Sequence, residues 1–189
     1  MRRMKGVAVL GVAMVAGIIG GSVLLWGDEF PKVGDEAQNF TLKNVEGEEV
    51  ELKGLLKEGP VVLLFLRGFP GYQCPLCTKQ VGDFSGQAKG FADKKATILL
   101  VYPGNGADLK KRAVEFLGAK ELPKNVVFVT DPDYMATKLW KLRWEAPLET
   151  AYPSTFVIDK EGKIRFAKVS KSHGGRTKSG EILKVVEEL

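Results

Sequence analysis

Only two cysteines and one histidine occur among the 189 residues, and each scarcity removes a class of protein. Cys74 and Cys77 cannot staple a disulfide scaffold, because a bridge between them closes too small a loop to restrain the unfolded chain. With His173 as the sole imidazole, Cys and His together cannot supply a closed four-ligand zinc site. No internal repeat or low-complexity tract follows the first 27 residues. Net charge is small as well. The formal net charge of +5 falls to +2 once Arg2, Arg3 and Lys5 are set aside, so nothing argues for a nucleic-acid surface. Lys110-Lys111-Arg112 reads as the solvated face of a helix.

The single long apolar run stands at the start. Arg2, Arg3 and Lys5 precede a charge-free stretch from Gly6 to Trp26, and acidic residues begin at Asp28. That pattern fits a signal sequence or a membrane anchor. No A-x-A site closes the run and Trp26 suits an interface, so residues 1–27 read as an uncleaved transmembrane helix. The basic residues then stay in the cytoplasm and the domain lies on the extracytoplasmic side, or is secreted if the segment is cleaved. Residues 28–189 suit one domain with a sizeable core.

Past a short tether, Gln38–Leu42 and Glu49–Leu52 alternate around Asn44-Val45-Glu46-Gly47, which predicts a β-hairpin. Val61–Leu66, Ala96–Tyr102 and Val126–Val129 are short apolar runs of the kind that form buried strands. Helices are predicted from Pro75 to about Ala88, over Ala107–Leu117, over Tyr134–Leu142, and from Thr177 or Ser179 to the end. Arg143–Tyr152 has no regular pattern. Ser154–Ile158 and Lys163–Ala167 form a second hairpin across Asp159-Lys160-Glu161-Gly162. The order, hairpin then β-α-β-α-β-α-β-β-α, predicts an α/β domain with a mixed central sheet flanked by helices.

Chemistry concentrates between Pro60 and Gln80. A buried strand leads through a Gly/Pro turn to Cys74-Pro75-Leu76-Cys77, and Pro75 suits the first helical position. A helix N-terminus offers free N–H groups and partial positive charge, both of which favour thiolate over thiol. The spacing lets one sulfur reach the other across a single turn. The pair therefore reads as a dithiol–disulfide site.

From Val33 to Leu189 the chain resembles the thioredoxin-fold redoxins of the alkyl hydroperoxide reductase/thiol-specific antioxidant (AhpC/TSA, peroxiredoxin-like) family. The matching pieces are Val33-Gly34-Asp35, Phe40-Thr41-Leu42, Phe65-Leu66-Arg67-Gly68, Cys74-Pro75-Leu76-Cys77, Tyr152-Pro153-Ser154-Thr155-Phe156-Val157-Ile158-Asp159 and Ser172-His173-Gly174-Gly175-Arg176. The resemblance implies a thioredoxin-like fold with an extra N-terminal hairpin. It also implies that Pro153 is the cis-proline facing the cysteines, where the alternative is an ordinary proline at the start of a strand.

Two assignments of the sulfurs stay open. Helix geometry favours Cys74 as the attacking thiolate with Cys77 resolving. The peroxiredoxin pattern P-x-x-x-T-x-x-C, laid on Pro70–Cys77, makes Cys77 peroxidatic with Cys74 in the threonine position. Both end in one intramolecular disulfide. Arg67 is a candidate for holding positive charge near the thiolate or a bound peroxide, or else a solvated loop residue. The family's second arginine is replaced by Tyr152. Phe69, Tyr72 and Trp144 are candidates for an apolar docking surface or for packing under loops, and His173 reads as a structural turn residue.

These observations predict a membrane-tethered thiol oxidoreductase acting on a hydroperoxide or a protein disulfide and recharged by a partner dithiol protein. No dissociable cofactor is needed, because sulfur carries the two electrons. A copper-delivery protein of the same fold is the alternative, since two soft thiolates and an imidazole suit copper. Against it, that family separates its cysteines by three residues and places its histidine before the T-F-V-I-D strand, where Glu149–Ser154 has none.

Overall fold

The computed structural model describes residues 29–189. The transmembrane reading of residues 1–27 lies outside them, and no helix among the described residues is long and apolar enough to cross a membrane. The elements run β1 (Thr41–Asn44), β2 (Glu49–Glu51), α1 (Leu52–Leu56), β3 (Val61–Phe65), α2 (Pro75–Gly86), α3 (Ala88–Asp93) and β4 (Thr97–Gly104). They continue with α4 (Leu109–Leu117), β5 (Val126–Pro132), α5 (Met135–Leu139), β6 (Ser154–Ile158), β7 (Ile164–Val169) and α6 (Ser179–Glu187).

Seven strands form one sheet in the order β2-β1-β5-β4-β3-β6-β7. β3 is parallel to β4 and β4 to β5, whereas β6 and β7 are antiparallel additions on one side and the β1–β2 hairpin on the other. This is the mixed, helix-flanked α/β sheet expected from the sequence, widened by the hairpin. All five residues of β3 are buried because helices cover both faces. Val62 and Leu64 point to one layer, which holds Val81 and Phe84 of α2, Phe91 of α3, Phe116 of α4 and Ile182 of α6. Val61, Leu63 and Phe65 point to the other, where Trp140, Phe40, Phe156, Leu52 and Leu56 gather. Each such side chain contributes about 1.5–3 kcal/mol by leaving water.

Three local departures have physical causes. The second hairpin strand stops at Glu51, and Leu52 and Leu56 instead bury one face of the short helix α1. The cysteine helix breaks at Gln87, whose φ and ψ of −101° and 6° separate α2 from α3. Helix α5 starts at Met135 rather than Tyr134, because Asp133 and Tyr134 take left-handed φ values of 57° and 63°. The buried carboxylate of Asp131 supports that turn by accepting from the N–H groups of Ala136 and Thr137 and from the Thr137 hydroxyl.

Pro153 is a fourth departure. Among the described residues every peptide bond is trans, so the cis-proline expected at position 153 is absent. The backbone around Pro153 is already committed to extended pairing. Tyr152 N–H donates to Leu142 O at 2.9 Å, and Pro153 O accepts from Ser170 N–H at 2.9 Å. Pro153 is buried just ahead of β6, whose Ser154 pairs with Phe65, so it lies beside the end of β3 that leads to the cysteines.

Candidate active site

The approach to Cys74 is held from both sides. Gly68 has φ +70°, and a Cβ there would meet Pro103 O at 1.8 Å, so only glycine lets the chain pass β4 this closely. Phe69 N–H then donates to Pro103 O at 3.0 Å. Gln73 donates through its side chain to Arg112 O at 2.9 Å and accepts from the buried Tyr102 hydroxyl at 2.7 Å. The residue before the first sulfur is thereby tied to α4 and to β4.

Cys74 occupies the N-cap of α2 with extended backbone, and Pro75 takes the first helical position as predicted. The Cys74 Sγ accepts from Cys77 N–H at 3.3 Å, doing with sulfur what a serine or aspartate oxygen does at other helix starts. Both sulfurs are covered: Cys74 is 3% exposed and Cys77 is 0% exposed. Cys74, at the helix start, is the more open of the two, but only slightly.

A guanidinium joins the pair from the loop before α6. Arg176 Nη2 lies 3.5 Å from Cys77 Sγ and 3.8 Å from Cys74 Sγ, while Nη1 donates to Gln80 Oε1 of α2 at 2.8 Å. The hydrogen bond from the Cys77 thiol, opposed by burial and aided by Cys77 N–H, Arg176 and Arg67, holds Cys74 down to about 5. The same hydrogen bond and complete burial push Cys77 well up, so Cys77 keeps the proton and Cys74 carries the charge. Ultraviolet thiolate absorbance of the fully reduced chain is therefore expected to rise with a midpoint near pH 5. A midpoint in the ordinary range near pH 8.5 would remove the charge from Cys74.

Arg67 is neither solvated nor aimed at the sulfurs. Its side chain is buried, with Nε donating to Glu149 Oε2 at 2.7 Å and Nη2 to Glu149 Oε1 at 3.2 Å and Leu148 O at 2.8 Å. Nη1 donates to the Tyr72 hydroxyl. Its pull on Cys74 is a weaker, longer-range one, and its backbone amide faces Cys77. Burial alone would raise the Glu149 carboxyl, but hydrogen bonds from Arg67 and His173 outweigh it and the net displacement is downward.

His173 stands 2.7 Å from Glu149 Oε1 through Nε2, with its ring 5.4 Å from that of Trp144. It is not beside the thiols, as a copper site would need, and among the described residues no three His, Cys, Asp or Glu side chains gather to hold a metal. Of the three aromatic candidates, Tyr72 is 47% exposed. Phe69 packs under Arg112 at 5.0 Å, and Trp144 stacks on Tyr152 at 4.8 Å. Arg176, Glu149 and Gln80 were missed from sequence. Arg176 lies within the Ser172–Arg176 stretch that resembles the family, yet nothing in its spacing ties it to residues about a hundred positions earlier.

The AhpC/TSA family model matches residues 33–167. A Helicobacter pylori protein described as a putative peroxiredoxin is 33% identical over 138 residues, covering 70% of this chain and 84% of that relative. The Bacillus subtilis thiol-disulfide oxidoreductase ResA is 30% identical, covering 73% of this chain and 68% of ResA. Among solved structures, a peroxiredoxin-like protein from Aquifex aeolicus superposes with TM-score 0.69 at 20% identity, covering 85% of this chain and 88% of that one. Peroxidoxin BcpB from Mycobacterium tuberculosis superposes with TM-score 0.67 at 23% identity, covering 84% and 97%. These two likenesses establish the thioredoxin-like fold. A family match over most of the described domain, joined by a relative described as a peroxiredoxin and one described as a thiol-disulfide oxidoreductase, means that this chain belongs to the AhpC/TSA family and is a peroxiredoxin-like oxidoreductase.

Proposed function

We propose that the chain reduces hydroperoxides, with Cys74 as the attacking thiolate and Cys77 as the resolving thiol. The observation that carries this reading is a sulfur at the start of α2 that is 3% exposed, accepts from Cys77 N–H at 3.3 Å and has the Arg176 guanidinium 3.8 Å away. A small hydroperoxide suits so enclosed a nucleophile better than a protein disulfide, whose sulfur must approach in line. Cys74 thiolate attacks the distal peroxide oxygen, the O–O bond breaks, and the departing alkoxide or hydroxide takes a proton from solvent. The products are Cys74 sulfenic acid and alcohol or water. The Cys77 sulfur then displaces hydroxide from Cys74, water leaves, and a Cys74–Cys77 disulfide remains. A partner dithiol returns both electrons by exchange. Because the sulfurs already share one helical turn, the disulfide needs no unwinding of α2.

The residue 6–26 run and the basic residues before it support a membrane tether that holds this domain on the extracytoplasmic side. A second reading, disulfide exchange with a protein substrate, is favoured by the ResA relative. Anaerobic mixing of the reduced chain with hydrogen peroxide or an alkyl hydroperoxide, followed by mass spectrometry, separates the two. The expected result is one disulfide formed per hydroperoxide consumed. Thiols that persist against hydroperoxide but are lost to a protein disulfide would replace the first reading with the second.

A further inference from the structure

Arg176 touches both sulfurs, yet it comes from an exposed turn, and what holds it there is visible. Gln80 grips Nη1 from α2, and Nε donates to the backbone oxygen of His173 at 3.0 Å. The place of that oxygen depends on the turn, and the turn is pinned by its own side chains. Ser170 Oγ donates to Ser172 O at 2.9 Å and to Gly174 O. Gly175, at φ +69°, has Ser170 Oγ 3.1 Å from where a Cβ would stand, so the reversal into Arg176 needs glycine. Besides Ser170 N–H to Pro153 O and Arg176 to Gln80, the turn is tied to the rest of the molecule by the His173 ring, which donates to Glu149, and Glu149 is gripped in turn by buried Arg67. A continuous path therefore runs from Arg67 at the end of β3, through Glu149 and His173, to the guanidinium beside the sulfurs.

We propose that Glu149 and His173 are positioning residues for the thiolate: their hydrogen bond fixes the 170–176 turn and so delivers Arg176 to Cys74 and Cys77. Neither residue touches a sulfur. Their influence passes through the His173 carbonyl that orients the Arg176 guanidinium. The inference rests on the thiolate reading of Cys74, but not on which oxidant Cys74 meets. It assigns a task to the segment 143–152, which has no helix or strand of its own, and to a histidine that sequence alone marks as a turn residue.

The test is the pH profile of thiolate absorbance in the reduced full-length chain, which needs no substrate and no access to the sulfur. His173→Ala is expected to move the midpoint upward, lowering the thiolate fraction below the midpoint by roughly threefold to tenfold, within the range of a lost neighbouring charge. His173→Gln places an amide N–H where Nε2–H stood and should return the midpoint close to the parent value. Arg176→Ala should shift the profile at least as far as His173→Ala. The double variant should match Arg176→Ala alone, because the two act through one guanidinium. Thermal unfolding of each variant checks that the domain is intact. An unmoved midpoint in His173→Ala, failure of His173→Gln to restore it, or additive shifts in the double variant would overturn the proposal. If the shifts appear while the chain consumes no hydroperoxide, the peroxidase reading fails and this one stands.

Discussion

Replacing Cys74 with serine is expected to lower hydroperoxide-dependent turnover by about three orders of magnitude or more, the scale seen when a nucleophile is removed. A serine hydroxyl at the N-cap still accepts from Cys77 N–H, so α2 keeps its start and the fold survives. What disappears is the low-lying thiolate, since a hydroxyl does not ionise in the same range. Cys77→Ser should behave differently. It leaves Cys74 charged and supplies another O–H donor, so the first attack proceeds while no internal disulfide forms. Cys74 then accumulates as a sulfenic acid that a sulfenic-specific reagent traps. Cys77→Ala removes the donor as well, and because that hydrogen bond is the largest influence lowering Cys74, its thiolate midpoint should rise. Mass spectrometry of the trapped species decides between the sulfurs. A sulfenic acid on Cys77 in the Cys74→Ser variant, formed at the parent rate, would reverse the assignment and restore the register of the peroxiredoxin pattern.

Glu149→Ala should destabilise the domain by about 3–5 kcal/mol at neutral pH, the range for stripping one partner from a buried ion pair. The Arg67 side chain is 4% exposed and that of Glu149 10%, so water does not replace the lost carboxylate. Pairing with Arg67 places the folded Glu149 carboxyl below its usual range despite burial. Its contribution is therefore present above the unfolded carboxylate value near 4.3, and is lost as pH falls through the lower folded value. Urea unfolding of the parent and the variant at neutral and at strongly acidic pH checks this, with the gap expected to narrow in acid. Replacing both partners, Arg67→Met with Glu149→Leu, should recover much of the loss, because no unpaired charge is then left inside. A gap under about 1 kcal/mol at neutral pH, or one that does not change with pH, would show that the pair is not held as described.

Local patterning carried much of this protein. The apolar runs that became β3, β4 and β5, the alternating segments that paired as hairpins, and the stripe of α6 all follow from side-chain periodicity, which records which faces must leave water. The breaks it missed, at Gln87 and at Asp133–Tyr134, depend on single backbone dihedrals. In the second case they also depend on a carboxylate that reaches forward from Asp131. The hydropathy pattern contains no trace of either.

The site divides along the same line. Two cysteines separated by two residues, behind a buried strand and with proline between them, determined a sulfur at a helix start, because Pro75 can begin a helix and cannot continue one from inside. Tertiary structure alone decided which charges surround it. Arg67, next to the strand that leads to the cysteines, turns away to Glu149. Arg176, about a hundred residues on, is brought to the thiols because β6 and β7 return the chain beside β3 and the loop before α6 closes over α2. Electrostatic influence falls with distance in space, and only folding converts a separation of a hundred residues into 3.5 Å.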